Sequence, residues 1–248
     1  MPRGARQKSE TGIYHVMLRG INKQNIFEEP EDYEKMRQLL IDCQKKDGFA
    51  LYAYCFMPNH IHLLMREAKT SVSESIRGLG SKYVSWFNTK YERVGHLFQD
   101  RFKSEAVEDD NYFMTVVRYI HCNPVKAKLV KTPEAYAYSS YRDYLDQREW
   151  IDAERVQYWL HGEQFEEFHK RGTDEVCMDI PEAVTIRLTE EAATSIMRTV
   201  TKCGSSAEFQ GLDTDKKKKL IKRLKAKGLS IRQISRLTGE TYYLIQKA

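Results

Sequence analysis

Two histidines stand one residue apart in the run His60-Ile61-His62, a tyrosine stands at position 119, and an asparagine follows it four residues later. On a β-strand, residues two apart project from the same face, so His60 and His62 share one side of a sheet while Ile61, Leu63 and Met65 share the other. Two neutral imidazoles at that spacing can converge on one divalent ion, or simply be a hydrogen-bonded pair on a sheet. On an α-helix, an advance of about 100° per residue brings Tyr112, Tyr119 and Asn123 onto one flank of the apolar stripe made by Phe113, Val116, Val117 and Ile120. His121 falls about 140° from that flank and is set apart from the candidate ligands.

This set suits attack of a phenol on a phosphodiester. A phenol with a pKa of about 10 is a poor nucleophile at neutral pH, and needs a neighbouring cation to neutralise the phosphate and orient the scissile bond. Two histidines and the amide oxygen of Asn123 would leave positions open for phosphate oxygens on Mg²⁺ or Mn²⁺. The plainer roles stay open too: Tyr119 as a helix-edge aromatic, Asn123 as a C-terminal cap residue. Tyr112, on the same flank, is the rival nucleophile.

The elements that must position these residues follow from periodicity. Ile13 to Leu18 alternates as a strand, Pro30 opens a helix that Asp47-Gly48 stops, and Phe49–Met57 and His60–Arg66 form strands joined across Pro58-Asn59. A helix over Val72 to Tyr91, a strand over Leu97 to Val107 and a helix from Asp109-Asp110 to the Asn123-Pro124 break complete the order β-α-β-β-α-β-α. The fold class expected is α+β: a ferredoxin-like split βαβ antiparallel sheet with helices on one face and one extra helix, plus a small helical C-terminal region. The aromatic, turn-rich run from Val125 to Tyr144 should wrap this domain, Trp150 to Lys170 reads as helical, and TKCGSSAEFQGLD reads as a linker. The domains expected are therefore 1–145, a helical extension over 146–205, and a basic tail over 206–248.

Charge singles out that tail. The chain carries a net +5, yet residues 215–248 alone carry +9, leaving −4 on the rest. A basic segment on a slightly acidic body reads as a nucleic-acid contact, with a solvated lysine-rich face as the alternative. Within it, a helix capped by Ser230, a turn at Thr238-Gly239 and a last helix from about Glu240 resemble a helix-turn-helix. Its core would be Ile231, Ile234 and Leu237, with Arg232, Thr241, Tyr242 or Gln246 toward DNA. Arg101 and Lys103, alternating in QDRFKSE, are further candidates for DNA phosphate. Five scattered cysteines without a CxxC pair suggest reduced thiols rather than a disulfide framework or zinc ribbon. No leader-like apolar run opens the chain and no stretch approaches the roughly 18 apolar residues of a membrane span, so a cytoplasmic, nucleoid-associated bacterial protein with no membrane partner is expected.

The strings YAYCFMPNHIHLLM, GHLFQDRFKSEAV, VVRYIHCNPVKAKLV and YAYSSY, in that order, closely resemble the tyrosine transposases of the REP-associated and single-strand insertion-sequence kind, over roughly residues 8 to 145. The resemblance implies a ferredoxin-like nuclease domain in which His60 and His62 are the His-hydrophobic-His metal pair, Tyr119 is the nucleophile and Asn123 the third ligand. It implies endonuclease and strand-transfer activity on single-stranded DNA hairpins through a 5′-phosphotyrosine link, by a monomer or homodimer. The rivals are a non-catalytic, sequence-specific DNA-binding regulator derived from a transposase, which would not need this set of residues, and a metal hydrolase with a water nucleophile, which would leave no covalent link.

Overall fold

The structure, a computed structural model, describes residues 8–160, 164–171, 177–178 and 190–248. The chain divides into two compact units, one of residues 1–84 with 96–182 and one of residues 85–95 with 183–248.

The first unit is built on a four-stranded antiparallel sheet in the order β2-β3-β1-β4, from β1 (Ile13–Arg19), β2 (Ala50–Met57), β3 (His60–Arg66) and β4 (Lys103–Ala106). Between β1 and β2 runs α1 (Pro30–Asp47), and after β3 comes α2 (Val72–Lys90). Helix α1 begins where Glu29 and Asp32 form a capping box and Pro30 pre-sets the first turn, and it stops at Gly48, whose φ of 77° suits glycine. Its buried stripe is Tyr33, Met36, Leu40 and Cys43. Phe27 stacks on Tyr33 and lies against Phe56 and Tyr83, while Gly80 of α2 lies close to Leu18. Helices α1 and α2 therefore back the face that carries Leu18 and Phe56, as the split βαβ unit requires.

The extra helix, α3 (Asp110–Lys126), is on the opposite face, where His62 and His15 meet Tyr119. Asp109 caps α3 by accepting from the Tyr112 N–H. The helix does not break at Asn123-Pro124 as expected: it continues to Lys126, and the Ala127 N–H still reaches the Asn123 carbonyl at 2.9 Å. A proline in the last turn removes one donor and leaves the downstream bonds intact, so close packing carries the helix past it. The fourth strand is also shorter than expected. Only Lys103–Ala106 pairs with β1, and Arg101 lies in a bend before it.

The segment after α3 seals the edge of β2. The Ser140 N–H donates to the Tyr54 carbonyl, Ser139 bridges Cys55 antiparallel, and the Tyr136 hydroxyl donates to the Phe56 carbonyl at 2.8 Å. An open edge thereby loses its free hydrogen-bonding groups. Short helices α4 (Tyr141–Leu145), α5 (Ala153–Leu160) and α6 (Phe165–Lys170) follow. The helical reading of 150–170 thus corresponds to α5 and α6, and its residues 161–163 lie outside the described ones. Arg155 of α5 pairs with Asp110 at 2.8 Å and lies over the Phe113 ring, so this stretch packs on α3.

The second unit is helical: α7 (Glu190–Thr201), α8 (Ser206–Gln210), α9 (Thr214–Ala226), α10 (Ile231–Thr238) and α11 (Tyr242–Lys247) surround Met197, Phe209, Ile221, Leu224, Ile234 and Ile245. Phe209 is fully buried in this core, so TKCGSSAEFQGLD is not a linker: its Ser205 caps α8 and its Phe209 is a central core residue. Ser230 forms a capping box with Gln233, Gly239 ends α10 at φ 72°, and Thr241 caps α11.

Candidate active site

The register of the sheet assembles the site. Cross-strand partners share a face, and β1–β3 pairing sets Met17 opposite His62 and Arg19 opposite His60. His15, two residues before Met17, is the diagonal neighbour of His62 on that face. Its Nε2 lies 2.9 Å from His62 Nδ1, and its ring centroid is 5.8 Å from that of Tyr119. The His62 and Tyr119 rings are 5.6 Å apart edge to face, and the His60 and His62 rings 4.8 Å apart. Tyr119 and His15 are 1% and 0% exposed, and His60, His62 and Asn123 are buried as well.

Burial governs the charge state here. It holds His15 at a pKa of about 3. Burial first, and then the Arg19 guanidinium, bring His60 to about 3. His62 lies well below the ordinary histidine value, through burial and then through its two histidine neighbours. Burial thus favours the neutral form of all three rings, the form that offers a lone pair to a metal ion. The His60 Nδ1 lies 2.6 Å from the Asn59 Oδ1; an amide oxygen only accepts, so Nδ1 carries the proton and Nε2 the lone pair. Asn59 is itself fixed, because the Gly20 N–H donates to its carbonyl at 2.8 Å. A Cβ at Gly20 would collide with the Gln24 carbonyl, which explains glycine at this corner.

Among the described residues no group of three or more His, Cys, Asp or Glu side chains is arranged to hold a metal ion. His60 and His62 on β3, and Asn123 one helical turn beyond Tyr119, are buried nitrogen and oxygen donors of the types a divalent ion takes.

The rival tyrosine is tied elsewhere. The Tyr112 hydroxyl donates to Glu105 at 2.7 Å, and burial together with that carboxylate raises its phenol above the ordinary value. Lys126 places its ammonium 4.8 Å from the centroid of the Tyr119 ring. Lys103 is exposed and opposite Met17, hence on the histidine face, while Arg101 is exposed in the bend.

His121 does face away from the site. Its Nδ1 meets His169 Nε2 at 2.8 Å and its Nε2 meets the Ser140 hydroxyl at 2.7 Å. In the second unit Arg232 is exposed on α10 and Thr241 is the exposed cap of α11. Tyr242 is half-buried against Tyr91, whereas the next residue, Tyr243, is 58% exposed with Lys247 over its ring.

Sequence reading missed His15 and Arg19. One signal was available for His15: a polar ring in the middle of the alternating apolar strand IYHVMLR.

An antiparallel sheet whose histidine-bearing face is covered by a helix carrying a tyrosine defines an α+β domain of the split βαβ class. Residues 8–123 match the family model described as transposase IS200 like. A Haemophilus influenzae protein assigned as a REP-associated tyrosine transposase is 31% identical over 105 residues; the match covers 38% of this chain and 59% of that relative. The REP-associated tyrosine transposase of Escherichia coli K12 is 24% identical over 136 residues, covering 54% of this chain and 78% of the relative. A solved structure of a REP-associated tyrosine transposase bound to a REP hairpin superposes with a TM-score of 0.51 at 20% identity, covering 61% of this chain and 88% of that one, which establishes the shared fold.

Proposed function

We propose that the first unit is a metal-dependent endonuclease and strand transferase for single-stranded DNA hairpins, with Tyr119 as nucleophile and His60, His62 and Asn123 as the metal-holding residues. The observation that carries this reading is the contact between the Tyr119 ring and His62 within one chain, with Tyr112 engaged by Glu105. The match of residues 8–123 to the transposase IS200 like model supports the transposase class, and the solved structure of similar fold bound to a REP hairpin supports the choice of hairpin DNA.

In this reading the Tyr119 oxygen bonds to phosphorus while the bond to the 3′ oxygen breaks, giving a 5′-phosphotyrosine link and a free 3′-OH. A 3′-OH attacking that link reverses the step, so strands are rejoined without a nucleotide cofactor. A bound Mg²⁺ or Mn²⁺ would supply charge neutralisation of the phosphate. The neutral, buried histidines would hold it without competition from protons. Arg19, Lys103 and the exposed Lys126 supply positive charge around the site for the incoming strand. Because Tyr119 is 1% exposed, side chains over it must move for DNA to reach its hydroxyl. The same burial favours the second reading, a DNA-binding relative without chemistry.

The test is incubation of the chain with Mn²⁺ and hairpin DNA from the flanks of its own gene, labelled at either end, followed by a denaturing gel. A protein band carrying only the label 3′ to the nick supports the proposal. Binding with no covalent band would favour the regulator.

For the second unit we propose duplex DNA binding, with α10 and α11 as a helix-turn-helix and α9 as a phosphate-contacting helix. Lys216, Lys218, Lys219, Lys222 and Arg223 are exposed on α9. Tyr243 replaces Tyr242 as the better groove-facing residue, beside Thr241 and Arg232. Loss of duplex binding in a Tyr243→Ala, Lys247→Ala variant, with hairpin cleavage kept, is the expected result.

A further inference from the structure

We propose that His15 is a positioning residue: it accepts the Nδ1 proton of His62 and thereby leaves His62 Nε2 as the nitrogen that can bind a metal ion. The inference rests on the metal reading of His60 and His62. A neutral imidazole carries one proton, and the hydrogen bond made by one nitrogen decides which form the other takes. His62 Nδ1 has His15 Nε2 at 2.9 Å. His60 Nδ1 has the Asn59 Oδ1 at 2.6 Å. Each candidate ligand thus has its Nδ1 held by a side chain beside it, and with His15 as the acceptor the same tautomer stands on both rings.

His15 also carries a cost that packing does not explain. It is fully buried, and its Nδ1 has no hydrogen-bond partner among the described residues. An orphaned buried nitrogen is expensive, and a leucine would continue the apolar alternation of IYHVMLR without one. Of the polar groups facing it, Glu105 lies directly across on β4 and is engaged by the Tyr112 hydroxyl, which leaves His62 as the ring His15 serves.

The experiment combines long-range ¹H–¹⁵N spectra of the metal-free chain with calorimetric Mn²⁺ titration of the native chain, His15→Leu and His15→Gln. The expected spectrum shows His62 protonated at Nδ1 in the native chain and displaced from that form in His15→Leu. His15→Leu should bind Mn²⁺ about 10- to 100-fold more weakly, the usual effect of losing an outer partner of a ligating histidine. His15→Gln should recover most of the loss, since its amide oxygen reaches the place of Nε2. A native His62 protonated at Nε2, or unchanged Mn²⁺ affinity in a folded His15→Leu, would overturn the proposal. If the native chain bound no Mn²⁺, the metal reading would fall, and the tautomer spectrum would still decide what His15 does to His62.

Discussion

Helix α3 touches two histidine clusters, one on each flank, and they differ in a way that charge state alone would hide. On one flank Tyr119 meets His15, His60 and His62; on the other, His121 meets His169 and Ser140. Burial depresses both sets: His60 to about 3, His169 to about 4, with His62 and His121 well below the ordinary value. What separates them is hydrogen-bond closure. His169 Nδ1 donates to the Phe165 carbonyl, so its Nε2 accepts from His121 Nδ1, and His121 Nε2 accepts from the Ser140 hydroxyl. One neutral arrangement satisfies all four ring nitrogens, the mark of a structural lock. The Tyr119 cluster leaves His15 Nδ1 without a hydrogen-bond partner among the described residues and holds both β3 histidines through Nδ1. Perturbed pKa values point to function only when paired with such unfinished bonding.

Substitutions on the two flanks should therefore have opposite signatures. The largest effect is expected from His60→Ala or His62→Ala: Mn²⁺ affinity and strand cleavage of the folded fraction both fall by more than about a hundredfold, beyond the loss of an outer partner. Equal metal affinity in calorimetry would erase the distinction between the clusters. His121→Ala should spare the metal and cleavage readouts. It leaves Ser140 and His169 without their partner in a cavity and costs about 2–4 kcal/mol in urea denaturation, while the folded fraction keeps its cleavage rate.

Acid should weaken the lock next. His169 has a folded value of about 4 against about 6.5 unfolded, so between those pH values the unfolded chain binds more protons. Stability is then fully present above pH 6.5 and falls by about 1.4 kcal/mol per unit for each such histidine as pH drops toward 4. His169→Gln should show a shallower slope by one proton's worth in urea titrations across that window, and an unchanged slope would refute the lock. The smallest effect lies at the rim of the first cluster. Lys103→Ala should weaken single-stranded DNA binding a few-fold and reduce the slope of log affinity against log salt by about 0.7, as read by fluorescence anisotropy.

How much of this was legible beforehand follows from the kind of signal each residue carries. The period of two in HIHLLM and the 100° advance along α3 are local, so the sharing of a face by His60 and His62 and the opposite aim of His121 could be read directly. His15 lies 47 residues from His62, and only the β1–β3 register makes them diagonal neighbours. No local pattern fixes that register. Pro124 and Phe209 misled in the same manner. Proline and a Gly-Ser run are local breakers, but buried surface around them decided the outcome, continuing α3 to Lys126 and drawing Phe209 into the helical core. The polar tail was legible as helices because its caps, Ser230, Gly239 and Thr241, are local signals.

The central claim is that Tyr119, and not Tyr112, forms the bond to DNA. Cleavage in Mn²⁺ of a hairpin substrate, followed by nuclease and trypsin digestion and mass spectrometry, locates the phosphonucleotide on one peptide residue. The account predicts the added mass on Tyr119 and its absence in Tyr119→Phe, with Tyr112→Phe still linked. A link on Tyr112, or cleavage with no modified tyrosine at all, would contradict it.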